Sequence, residues 1–78
     1  MNQEKTVWSW GDKSRVARGA GIGAAFLSDI MAGRKPCSAV LAVKLERSAK
    51  DLGYDIPRTL WAFEDMRQGN PLFKGRAA

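Results

Sequence analysis

The sequence predicts an all-α fold, a compact bundle of four to five short helices. Three observations carry this. Breakers fall at Gly11-Asp12, Gly21, Gly33 to Pro36, Gly53 to Pro57 and Gly69-Asn70-Pro71, and the spacers between them are helix-sized, not strand-sized. Strict apolar/polar alternation, the mark of a half-buried strand, is absent. Hydrophobic residues make up 45% of the 78, three Trp and three Phe among them, which suffices for one small core and argues against disorder throughout.

The first helix is expected from about Gln3 to Trp10, where Val7 and Trp10 share a face and Trp8 lies on a neighbouring one. Asp12 reads as the N-cap of a second helix that ends at Gly21. A third spans about Gly23 to Ala32, with Gly33 as its stop. A fourth begins near Cys37 or Ser38, just after Pro36, and ends at Gly53. Leu41, Leu45, Ser48 or Ala49, and Leu52 give it a stripe at helical spacing. The fifth starts around Pro57, whose fixed φ suits a first turn, and its Leu60 and Phe63 share a face. Residues 1–68 form a single domain in this reading. Residues 69–78 are a tail expected to be flexible, with Leu72 and Phe73 able to dock back on the body.

Thirteen Lys and Arg stand against eight Asp and Glu, a net charge of +5. Such an excess suits a polyanionic partner, nucleic acid or an acidic membrane surface. A single thiol, Cys37, makes no internal disulfide, and with no histidine no metal site is expected. Cys37 itself reads as a helix-start or core residue. No apolar stretch follows a basic start, and none approaches the roughly 20 residues that span a bilayer. A cytoplasmic protein without a membrane partner is expected.

The segment Ser14 to Gly33, SRVARGAGIGAAFLSDIMAG, carries the functional reading. Two helices that cross over a short turn must approach closely, which favours the small side chain of Ala17. The turn itself needs a residue tolerant of positive φ, and Gly21 supplies it. Ile22, Leu27 and Ile30 would lock the second helix of the pair against the first, with Val16 and Ala20 facing them. On Val16-Ala17, Gly21-Ile22, Leu27-Ser28-Asp29-Ile30 and Gly33-Arg34-Lys35-Pro36, the chain resembles the lambda-repressor/Cro-like family of helix-turn-helix regulators. The run AFLSDIMAGRKP is the most specific part, and the apolar helix after Pro36 extends the likeness to about Gly53. The resemblance implies a helix-turn-helix fold, binding to double-stranded DNA and a role as a small phage- or prophage-type transcriptional regulator, often dimeric.

In that family's architecture the second helix of the pair, about residues 23–32 here, lies in the major groove with its N-terminal residues nearest the bases. Gly23, Ala24 and Ala25 depart from the usual polar residues and make no bidentate hydrogen bonds. They let the helix sit deep, with Ala methyls against thymine methyls. Ser28 offers one hydroxyl. Asp29 either accepts from a cytosine amino group or stays a solvated acid. Phe26 either fills the seam between helices or packs on sugar and thymine methyls. Lys13 stands where the family places a backbone-contacting residue, at a helix end whose N–H groups can face a phosphate. Arg34 and Lys35 follow on the exit loop as phosphate contacts. Ser14 and Arg15 come second, and Arg18 points along the same helix. With so few base-reading side chains, phosphate contacts and DNA shape should carry the affinity. Val40, Val43 and Trp61 are candidates for a homodimer surface, the alternative being that they pack within one chain.

No catalytic constellation is present: there is no His, no Cys/His pair and no phosphate loop. Gly19-Ala20-Gly21-Ile22-Gly23 lacks both the preceding strand and the full GxGxxG spacing. No cofactor is expected. The rival to DNA binding is a helix-turn-helix-derived protein-interaction module, anti-repressor or antitoxin-like. A membrane-surface role ranks third, because the basic residues are scattered over several helices.

Overall fold

The computed structural model describes residues 7–67 and 70–73. It contains α1 (Asp12–Gly19), α2 (Ala24–Met31), α3 (Ala39–Asp51) and α4 (Arg58–Ala62), then single 3-10 turns at Glu64–Arg67 and Pro71–Phe73. No strand occurs among the described residues. The all-α bundle expected from the breakers is what the chain forms.

The first three helices end by one device. Gly21, Gly33 and Gly53 follow their helices at φ 80, 81 and 94°. At each, the glycine N–H and the next residue's N–H turn back to the last turn's carbonyls: Gly21 to Arg18 and Ile22 to Ala17, Gly33 to Ile30 and Arg34 to Asp29, Gly53 to Lys50 and Tyr54 to Ala49. This is the Schellman pattern, and it needs a left-handed residue that costs little only as glycine. At its start α3 is capped by Ser38, whose Oγ accepts from Leu41 N–H at 3.1 Å.

The core gathers Val16, Ala17 and Ala20 of α1, Leu27 of α2, Ala42, Leu45 and Ala49 of α3, and Tyr54, Ile56, Trp61 and Leu72 beyond it. Ile30 of α2 is fully buried as well. The α1–α3 contact is tight. A Cβ on Gly19 would collide with the Ser48 side chain, whose hydroxyl donates to Val16 O at 2.8 Å.

Four expectations change. The helix expected from Gln3 begins outside the described residues, and Val7 to Trp10 form a bend and turn instead. Tertiary partners hold the segment: the Ser9 backbone N–H, which a helix would use, donates to Tyr54 Oη at 2.9 Å, and the Trp8 side chain donates from Nε1 to Leu72 O at 3.0 Å. Asp12 is not the N-cap of α1. Gly11 is, at φ 86°, and Asp12 is buried with Oδ2 accepting from Tyr54 Oη at 2.6 Å and Oδ1 accepting from Arg15 Nη1 at 2.9 Å.

The last helix stops at Ala62, so Phe63 does not share a buried face with Leu60; its backbone is extended and its ring is exposed. Arg67 explains the stop. Its guanidinium takes the Leu60 and Trp61 carbonyls at 2.6 and 2.9 Å, acceptors that a continuing helix would have offered to Glu64 and Asp65. Finally, Trp61 is 0% exposed and packs edge-on against Phe73, with centroids 5.1 Å apart. It belongs to the core and forms no homodimer surface. Leu72 is buried too, so residues 70–73 dock on the body. The rest of the expected tail lies outside the described residues.

Candidate nucleic-acid interface

α1 and α2 pack against each other across the four residues 20–23. Leu27 and Ile30 turn inward from α2, and Ile22 packs half-buried at the turn. The opposite side of α2 is left to solvent. Gly23, Ala24, Ala25 and Ser28 are exposed, and no side chain caps the helix start. Gly23 itself has ordinary extended dihedrals, and a Cβ there would meet nothing within 4 Å. The first-turn N–H groups of α2 therefore have no side-chain cap, and no acid in that turn offsets the positive end of the helix dipole.

Lys13 and Ser14 are exposed on the first turn of α1. Arg18 is exposed further along the same helix, while Arg15 folds back onto Asp12. Beyond α2, Arg34 and Lys35 are both exposed on the exit loop. The loop is held close to the C-terminal part of the fold. A Cβ on Gly33 would collide with the Glu64 carboxylate, and Arg67 Nη1 donates to Ile30 O at 2.8 Å and Met31 O at 3.3 Å.

Two of the candidate contact residues turn out to be partners of each other. Arg34 donates to Asp29 Oδ1 through Nε at 3.0 Å and Nη2 at 2.9 Å. Asp29 is thus half-buried, with its Oδ1 taken by Arg34. Its backbone carbonyl also accepts from Arg34 and Lys35 N–H. Lys35 Nζ lies 5.6 Å from the centroid of Phe26, which is half-buried at the rim of the helix pair. The pairing leaves Lys13, Arg18 and Lys35 as the candidate cations with no carboxylate partner among the described residues.

Sequence reading missed Arg67. It binds four carbonyls on two helices and is covered by the Phe73 ring at 4.9 Å. Burial lowers its pKa, opposed by the charge of Glu64. Nothing local marks such a residue, because its acceptors are backbone atoms. Cys37 borders a cleft of about 340 Å³ between the exit loop and residues 62–67. Burial pushes the thiol pKa up, with the Arg67 charge working the other way. A protonated thiol is a poor nucleophile, and here Sγ donates to Ser38 O at 3.6 Å.

No protein family, curated protein or solved structure matches this chain. Among the described residues, no helix is long and apolar enough to cross a membrane. The functional reading therefore rests on the site.

Proposed function

We infer that this protein is a helix-turn-helix DNA-binding protein, a small transcriptional regulator of the lambda-repressor/Cro-like kind, with α2 as the helix that enters the major groove. One observation carries the reading. The α1–α2 pair exposes an uncapped, side-chain-poor helix start, Gly23 to Ala25, together with Lys13 and Ser14 at the start of α1 and Arg34 and Lys35 on the loop after α2. Small residues let the α2 backbone approach a groove closely, and the flanking cations suit the phosphates on either side. Ser28 is the hydroxyl available to base edges. Direct readout on this surface is thin, so affinity comes mainly from phosphates and DNA shape and falls steeply with salt. A cytoplasmic site of action belongs to the same reading.

The test exploits Gly23. It has N-cap geometry and open space, so Gly23→Asp leaves the fold as stable as before or slightly more so, since Asp caps better than Gly. The same carboxylate would face phosphate. Duplex binding measured by anisotropy at low salt is expected to weaken about tenfold or more, with a melting temperature no lower than that of the wild type. Equal affinity for the variant and the wild type would remove α2 from the interface.

The exposed Ala24 and Ala25 beside half-buried Phe26 favour a second reading, a protein-interaction module. NMR shift mapping with mixed duplex separates the two. Shifts on Lys13, on residues 23–29 and on Arg34-Lys35 support DNA, whereas none at low salt supports the protein partner.

A further inference from the structure

The turn leading into α1 carries an aromatic ring that the fold does not use. Trp10 is 96% exposed, yet its neighbours are tightly held. Trp8 stacks on Tyr54 with centroids 4.4 Å apart and donates from Nε1 to Leu72 O. Ser9 is bound on both sides, its N–H to Tyr54 Oη and its carbonyl to Asp12 N–H at 3.0 Å. Gly11 then starts the helix. Trp10 is therefore displayed on a pinned turn, which lowers the ordering cost of using it in a contact.

The surroundings of the ring indicate what covers it. Lys13 and Ser14 are exposed one turn on, and the Arg15 guanidinium lies back toward Gly11, with Nη1 3.6 Å from where a Cβ would stand. Asp12 N–H is taken by Ser9 O, while the next N–H groups of the first turn of α1 have no intrahelical partner. An apolar protein surface would have to desolvate these cations. A nucleic-acid strand offers both what the cations need and what the ring needs, phosphate beside the apolar face of deoxyribose.

We propose that Trp10 is a DNA-contacting residue that packs on the sugar–phosphate strand next to the phosphate held by Lys13 and Ser14, outside the groove that α2 enters. This rests on the DNA-binding reading and extends its footprint to the turn before α1. A ring contact neutralises no phosphate and releases no counterion, whereas a lysine contact does both. The two kinds of residue therefore differ in salt dependence.

The experiment titrates a labelled mixed-sequence duplex with the full chain at several salt concentrations. It compares wild type, Trp10→Ala, Trp10→Phe and Lys13→Gln. Trp10→Ala is expected to bind about tenfold more weakly with the wild-type salt slope and melting temperature, and Trp10→Phe to regain most of the loss. Lys13→Gln should lower the slope by about one. Unchanged affinity for Trp10→Ala would overturn the inference and leave DNA binding intact. So would a wild-type dimer, seen by sedimentation, that Trp10→Ala converts to monomer without weakening the duplex complex. A wild type that binds no duplex at low salt overturns the DNA reading itself, an outcome visible before any variant is made.

Discussion

Asp29 and Arg34 sit on the proposed DNA face and hold each other. The pair is partly exposed, so its own strength in water is small, but it competes directly with phosphate for Arg34. Asp29→Asn is expected to tighten duplex binding by about fivefold at low salt, by removing an acid from the face and freeing the guanidinium. In an Arg34→Gln background the gain should shrink to what the lost charge alone supplies. An equal gain in both backgrounds, measured as a double-mutant cycle, would show that the ion pair is not what restrains Arg34. The sequence placed both residues at the interface but not together. A pair five positions apart spans the end of α2, and it forms because the Schellman turn at Gly33 folds Arg34 back over the last helical turn.

At the scale of elements, the position of α2 depends on Arg67. One guanidinium joins the end of α2, through Ile30 and Met31, to the end of α4, through Leu60 and Trp61. Charge-assisted bonds of this kind are each stronger than neutral ones, and an Ala would leave the Leu60 and Trp61 carbonyls without the donor they have here. Arg67→Ala is expected to cost about 3 kcal/mol and to lower the melting temperature by roughly 10 °C or more. Arg67→Lys should recover little of this, since one ammonium cannot reach carbonyls on both helices. A thermal melt of the two variants checks it, and near-wild-type stability in either would mean that packing alone holds α2 in place. The helices themselves were legible. Their stops at Gly21, Gly33 and Gly53 are local chemistry, read from a few adjacent residues. The helix expected around Val7 to Trp10 was not legible as a turn, because distant partners overrode a local apolar spacing.

For the molecule as a whole, the buried Trp61 decides which surface is left for a second copy. Val40 is 66% exposed and Val43 half-buried, but Trp61 contributes nothing to an outer face. Trp61→Ala should act as a core cavity, costing about 3–5 kcal/mol. Its Nε1 is buried without a hydrogen-bond partner among the described residues, so Trp61→Phe gives up no bond to them and should stay folded. Sedimentation of Trp61→Phe is expected to match the wild type. A change in mass would return the residue to an interface between copies.

The sequence by itself determined the helical class, the ends of α1, α2 and α3, and the small, apolar start of α2, with Lys13, Arg34 and Lys35 around it. Those features depend on residues within a turn or two of one another. Tertiary structure alone decided that Trp61 faces in and Trp10 faces out, that Asp12 serves Tyr54 and not the helix start, and that Arg67 ties α2 to α4. Their partners lie as much as 42 positions away for Asp12 and 37 for Arg67, and no local pattern encodes a contact made across the whole fold.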